Sequence, residues 1–200
     1  MKVTGIIEVN NNRRKVILED GTNFVLYKGE LGKLHINVDE ELDDKDYERI
    51  MNEILPKRAK LRGLNLLKNR PYTEYQLRQK YKDGGYPDGI ADIAIEYLKG
   101  LHMIDDYEYC RMYMTFKSTS KSRKRIINDL MNKGVPRDII EEAMNELDDN
   151  GDLAREEELI LKLIDKRQYN KEEASYEEKQ KMMSYLYGKG FSMDLIRCLT

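Results

Sequence analysis

The sequence predicts a mainly α protein. The expected architecture is a tandem array of three three-helix repeats, elongated, preceded by a small N-terminal β-meander and a helix. Three observations carry this. Gly85, Gly134 and Gly190 recur 49 and 56 residues apart within one apolar pattern. Nine helical segments follow residue 57 and fall into three groups of three. Before that point, β-branched runs flank an Asp-Gly pair.

Residues 3–9 read as a strand, with β-branched side chains at five of seven positions, and Asn10-Asn11-Asn12 breaks it. Residues 15–19 and 22–27 flank Asp20-Gly21, a hairpin signal in which both central turn residues are expected at positive φ. A three-stranded meander is too small to stand alone and must pack on something. A helix over 44–55 follows, with Tyr47, Ile50, Met51, Ile54 and Leu55 on one face. Pro56 is expected to stop or bend it. Beyond it, helices are predicted at 57–69, 73–83, 88–100, 106–117, 122–133, 136–148, 152–166, 175–188 and 192–199. Domain boundaries follow: 1–56 for the meander and helix, then repeats at 57–105, 106–150 and 151–200.

The repeat aligns on its glycines. Four residues before them lie Tyr81, Leu130 and Leu186; eight before lie Leu77, Ile126 and Met182. Tyr86, Val135 and Phe191 follow them directly, Ile90, Ile139 and Leu195 stand five after, and Ala94, Ala143 and Leu199 nine after. The two upstream positions share one helical stripe. The glycine then ends the helix, where a left-handed backbone disfavours a Cβ by about 1 kcal/mol or more. Asp88, Pro136 and Ser192 open the next helix. Thr73-Glu74-Tyr75-Gln76 and Ser175-Tyr176-Glu177-Glu178 fit the capping box.

Leu, Ile, Val and Phe supply 48 of 200 residues, just above the level at which a chain reads as disordered. With 36% charged residues and a mean hydropathy of −0.75, the core is thin. One fifty-residue unit is marginal on its own, so stacked units are expected to share a core. No run reaches the roughly eighteen apolar residues of a membrane span, and the start carries no secretory signal. Cys110 and Cys198 are too few for a disulfide framework or a thiolate zinc site and read as small apolar helix fillers. A cytoplasmic monomer without cofactor is expected.

The net charge of −2 hides segregation. Residues 57–82 hold nine Lys or Arg against Glu74, and 111–137 hold eight against Asp129. Residues 138–160 hold ten acids against Arg155, and 30–54 nine acids against three bases. Local blocks, not totals, steer a polyanion. Arg70, Arg78, Lys80, Arg111, Lys117, Lys121, Arg123, Lys124 and Arg125 are the candidate contacts, positioning through charge without reading sequence. Reversing Arg123, Lys124 and Arg125 to Glu is expected to leave the fold intact. Most of the fourteen tyrosines read as packing residues; Tyr72 and Tyr113 are the candidates for stacking on a base.

Four motifs in order resemble the RecX regulators of the bacterial RecA recombinase. Leu66-Leu67-Lys68-Asn69-Arg70-Pro71-Tyr72-Thr73 and the run from Leu77 to Tyr81 are similar to that family's first repeat. Met103-Ile104-Asp105-Asp106-Tyr107 is similar to its junction. Arg125-Ile126-Ile127-Asn128-Asp129-Leu130-Met131-Asn132-Lys133-Gly134-Val135 is similar to its second repeat, and Lys189-Gly190-Phe191 to its third. The resemblance covers about 58–200, and the meander matches only longer members, loosely. Departures are Tyr81 for Leu, Cys110 for Ala, and Ser120-Lys121-Ser122 for a Lys-Gly pair. The resemblance implies a protein that lies in the groove of the RecA–DNA filament, inhibits ATP hydrolysis and strand exchange, and so modulates recombination, repair and the SOS response. The implied partners are that filament and single- or double-stranded DNA without sequence specificity.

Other readings are weaker. His35 and His102 sit in no catalytic or metal spacing, and Gly29-Glu30-Leu31-Gly32-Lys33-Leu34 lacks a phosphate loop's spacing, so no enzyme is expected. Residues 146–157 partly match a calcium-binding helix-loop-helix, with Glu146 where Asp is demanded. Helix-turn-helix DNA binding is disfavoured by Asp138, Glu141, Glu142 and Glu146 on the helix after the second turn.

Overall fold

A computed structural model describes residues 1–200. The chain divides into two compact units, Met1–Asp105 and Asp106–Thr200. The first opens on an antiparallel meander of β1 (Val3–Asn10), β2 (Arg13–Leu18) and β3 (Asn23–Tyr27). Its inner face follows the alternation of a pleated strand: Val3 pairs with Leu18 and Val16 with Phe24, and all four are buried with Leu26.

The Asp20-Gly21 hairpin is present, but its turn differs from the expectation. Only Gly21 has positive φ, at +84°. Its N–H donates to Leu18 O, and the Leu18 N–H donates to Thr22 O. That is a type I turn closed by a left-handed glycine. Asp20 accounts for it. Its carboxylate accepts from the Thr22 N–H and hydroxyl, at 2.9 and 2.8 Å, without entering the left-handed region. Those bonds, the backbone one foremost, hold the Asp20 carboxyl below its ordinary pKa.

A short helix, α1 (Lys28–Lys33), was not expected, because two glycines in six residues conceal it. Glu30 stabilises its start by accepting from the Tyr27 N–H at 2.7 Å. The next helix corrects the reading of Pro56. From α2 (Asp44–Arg49) through a π-helical turn at Ile50–Ile54 into α3 (Leu55–Asn69), the helix is continuous. Proline removes one i→i−4 bond and crowds the carbonyl four residues back. The wide turn just before Pro56, where the Leu55 N–H donates to Ile50 O, absorbs that conflict. Full burial of Ile50, Leu55 and Ala59 keeps both halves seated. With α4 (Glu74–Asp83) and α5 (Asp88–Gly100), α3 forms the first trio. The meander does pack on it: Phe24, Leu26, Leu55, Leu77 and Leu98 belong to one buried cluster.

The second unit holds two trios. They are α6 (Asp106–Ser118), α7 (Arg123–Asn132) and α8 (Arg137–Asp149), then α9 (Glu156–Lys166), α10 (Tyr176–Gly188) and α11 (Met193–Leu199). In every trio the first helix packs on the third: α3 on α5, α6 on α8, α9 on α11. The expectation of a shared core fails here. Cys110, Ile126, Leu130 and Ile140 form one cluster, and Ile160, Met182, Leu186 and Ile196 another. Both predicted capping boxes form, at Thr73–Gln76 and Ser175–Glu178. The helix expected from 152 begins only at Glu156.

The three aligned glycines are left-handed, with φ of +74°, +80° and +93° at Gly85, Gly134 and Gly190. The next residue's N–H reaches back to the carbonyl of Tyr81, Leu130 or Leu186. These are Schellman ends, and the side chains of the three accepting residues are fully buried. The constant buried position downstream is the sixth, Ala91, Ile140 and Ile196, whereas only Ile90 is buried at the fifth. His35, His102 and Gln168 hold the same left-handed position without glycine. Of the cysteines, Cys110 fills a core and burial pushes its thiol up to about 12; Cys198 is exposed, against expectation.

Candidate polyanion interface

The nine candidate cations divide into two groups. Four are bound to carboxylates. Arg78 lies 2.7 Å from Glu74 and 2.5 Å from Asp92, and Lys99 reaches Glu74 at 2.7 Å. Arg111 bridges Glu108 and Glu146, at 3.1 and 3.5 Å. Lys121 lies 2.5 Å from Asp129, which also accepts the Tyr113 hydroxyl at 2.9 Å. Arg123 lies 2.5 Å from Asp148. Burial raises the pKa of Glu74 and Asp129, but the hydrogen bonds from Lys99 and Arg78, and from Lys121 and Tyr113, outweigh it. Both carboxyls titrate below their ordinary values. Their stabilisation is therefore complete above the unfolded carboxylate pKa and is lost as pH falls through the folded one.

The other five carry charge outside such pairs. The Arg70 guanidinium lies over Tyr72 at 4.3 Å, Lys117 over Phe116 at 4.7 Å and Lys124 over Tyr187 at 5.9 Å. Arg125 donates to Gly188 O at 3.2 Å. Lys80 is half-buried, and its carbonyl accepts from Arg62 at 3.3 Å. Tyr72 is buried, and Tyr113 is held by Asp129; both serve packing.

Arg123, Lys124 and Arg125 open α7, where the helix dipole disfavours cations. Acceptors from the third trio offset this. The Ser122 hydroxyl donates to Lys189 O at 2.8 Å and accepts from the Arg125 N–H at 3.4 Å. The Arg123 N–H donates to the Glu156 carboxylate at 2.7 Å. The end of α10 thus meets the start of α7, and Gly190 makes the approach possible: a Cβ there would lie 2.6 Å from Ser122 Oγ. The triple reversal therefore removes two contacts, the Arg123 side chain's pair with Asp148 inside the second trio and the Arg125 side chain's bond to Gly188 O of the third. Arg123→Glu sets a carboxylate beside Asp148 and Glu156 and is expected to cost about 1–3 kcal/mol in urea unfolding. Lys124→Glu should change it by less than about 0.5 kcal/mol.

One set of cations escaped the sequence reading. Arg13, Arg58 and Arg62 line a groove of about 460 Å³ in the first unit, with Tyr27 and Tyr86. The spacing of Arg58 and Arg62 places them on one face of α3. The β2–β3 register sets Arg13 directly across from Tyr27. Counting back from the Asp20-Gly21 turn would have paired them, but a charge count along the chain does not see across a hairpin. Burial raises the Tyr86 hydroxyl's pKa against the pull of Arg58, Arg62 and Arg13.

Two carboxylates of the calcium-like segment are engaged by side chains. Tyr107 donates to Glu146, Arg111 pairs with it, and Arg123 holds Asp148. The helix after the second turn exposes Asp138, Glu141 and Glu142. No helix is long and apolar enough to cross a membrane.

A small sheet joined to three helical trios, each closed by the same left-handed turn, defines a helical repeat protein. Family models describe each trio in order: the first, second and third three-helix domains of RecX match residues 59–98, 105–144 and 155–199. The regulatory protein RecX of Finegoldia magna is 31% identical over 198 residues, covering 96% of this chain and 95% of its own. The chain belongs to the RecX family of regulatory proteins, and the likeness extends through the N-terminal sheet. A crystal structure of regulatory protein RecX shares the fold at a TM-score of 0.63 and 22% identity, covering 99% of this chain and 98% of the other. That of RecX from Lactobacillus salivarius gives 0.61 at 23% identity, covering 73% and 94%.

Proposed function

We propose that this protein binds the filament formed by the RecA recombinase on DNA and inhibits its ATP hydrolysis and strand exchange, modulating recombination and repair. Family membership along nearly the whole chain, with the three trios in order, carries this reading. The chemistry is compatible with it. A filament repeats one surface at a fixed spacing. Three similar modules at 57–105, 106–150 and 151–200 can engage successive copies, and linked weak contacts gain from effective concentration. Arg70, Lys80, Lys117, Lys124 and Arg125 are the cations for phosphate or acidic protein surface. Arg78, Arg111, Lys121 and Arg123 act first as internal ties.

The protein acts by binding, in the cytoplasm and as a monomer. His35 and His102 hold left-handed helix ends, and the Cys110 thiol is buried. The test is the DNA-dependent ATPase of the cognate recombinase. Substoichiometric protein should slow it, since one molecule touches several protomers. An ATPase unaffected at equimolar protein would remove the reading.

A further inference from the structure

We propose that the groove between the N-terminal sheet and α3 is a site for single-stranded nucleic acid, seating a phosphodiester between Arg13 and Arg62 and a base against Tyr27. Its lining contains three arginines and no carboxylate. Arg58 is already spent within the fold. Its guanidinium donates to Val25 O at 2.9 Å, pairs with Glu30, and lies 4.4 Å over the Tyr27 ring. Arg62 is not fully used. One terminal nitrogen donates to Lys80 O at 3.3 Å, while its Nε is buried without a partner. That nitrogen is sealed from the groove, so a phosphate oxygen arriving there meets the terminal nitrogens of Arg62, and guanidinium is the group that takes it with fixed geometry.

The other walls point to nucleic acid over an acidic peptide. Tyr27 is 45% exposed although Arg58 covers part of its ring, and neighbouring Leu61 is 53% exposed. A peptide carboxylate needs neither surface. A base uses both, because stacking on an aromatic ring beside a cationic track is how single strands are held without sequence preference. The groove's size lies in the about 300–1,000 Å³ range of ligand clefts. That volume admits one nucleotide unit at a time, not a duplex. The Asn65 and Asn69 side chains also line it and offer amides to a base edge or sugar. The close approach of the sheet to the Gly84-Gly85 turn fixes the far wall. A Cβ on Gly84 would lie 2.9 Å from the Tyr86 ring, and one on Gly85 would collide with Val25.

This site deepens the filament reading by naming a DNA-contacting surface, but it is testable without the recombinase. The measurement is fluorescence anisotropy of a labelled oligothymidylate titrated with the full-length protein. Arg13→Gln and Arg62→Gln should each weaken binding about tenfold, and each should reduce the slope of log affinity against log salt by about 0.7. Tyr27→Leu should weaken the oligonucleotide about five- to tenfold and leave inorganic polyphosphate binding unchanged, which separates stacking from bare charge. Lys68→Gln, on the same helix outside the groove, should change neither. Circular dichroism melting confirms that each variant is folded, and Arg13→Gln, a strand residue whose guanidinium has no partner in the fold, keeps the test open should Arg62→Gln unfold. Folded Arg13→Gln binding the strand like Lys68→Gln would overturn the site. Equal loss of polyphosphate and oligonucleotide on Tyr27→Leu would overturn its assignment to nucleic acid. Inhibition of the ATPase can succeed or fail independently of either result.

Discussion

Gly85→Ala is expected to lower the unfolding free energy by about 2–5 kcal/mol, and Gly151→Ala by only about 1–2 kcal/mol. Both residues are left-handed, with φ of +74° and +73°, so both substitutions carry the backbone penalty of about 1–2 kcal/mol. They differ in surroundings. A Cβ on Gly151 meets nothing within 4 Å, whereas one on Gly85 runs into the Val25 side chain. Val25 is buried on β3, and moving it means overpacking or shifting the sheet, which adds about 1–3 kcal/mol. Urea unfolding of the two variants checks the difference, with unchanged m-values as the sign that the unfolded state is the same. Equal losses at the two glycines would mean that the sheet does not press on the first trio's turn. The consequence also reaches the groove. Tyr86 follows Gly85 directly and packs edge-on against buried Tyr81, with centroids 5.6 Å apart. Displacing this turn should therefore disturb the wall opposite Arg62 as well as the core.

Local rules made the repeats legible, and the failures mark where tertiary contacts overrule them. Gly85, Gly134 and Gly190 identified themselves because a left-handed helix end leaves few alternatives in sequence. Thr73 and Ser175 announced their helices because a capping box is complete within four residues. Pro56 misled, since a proline's local penalty was weighed without the burial of Ile50 and Leu55 that carries the helix through it. The Asp20 turn misled because a side chain supplied the bonds expected from a mirror-image backbone turn. The cations were harder still. Counting them along the chain found the two basic blocks, but Asp148 reaches Arg123 from twenty-five residues away, and Gly188 O reaches Arg125 from sixty-three. Arg13 belongs to no block at all and joins Arg58 and Arg62 only through the hairpin register. Sequence shows which residues are charged, and packing decides which charges remain for a partner.

Leu186→Ala should act on one trio before the rest. The third trio's cluster has six buried side chains: Leu159, Ile160, Met182, Leu186, Phe191 and Ile196. Leu186 is fully buried among them, and truncating such a leucine costs about 2–5 kcal/mol. Whole domains hold only about 5–15 kcal/mol, so a cluster this small should open locally at close to zero free energy. The expected result in native-state hydrogen exchange is a loss of protection across α9, α10 and α11. The amides of α3 to α5 should keep theirs, because their cluster shares no side chain with this one. The start of α7 should report the opening too. Its Arg123 N–H depends on Glu156, and Ser122 depends on Lys189, so first-turn exchange there should rise while Leu130 stays protected. A uniform rise across all three trios would show instead that they unfold as one cooperative block. Under the filament reading, losing one of three linked modules should weaken inhibition far more than a surface substitution such as Lys124→Glu, because the lost contact also removes the effective concentration it gave its neighbours.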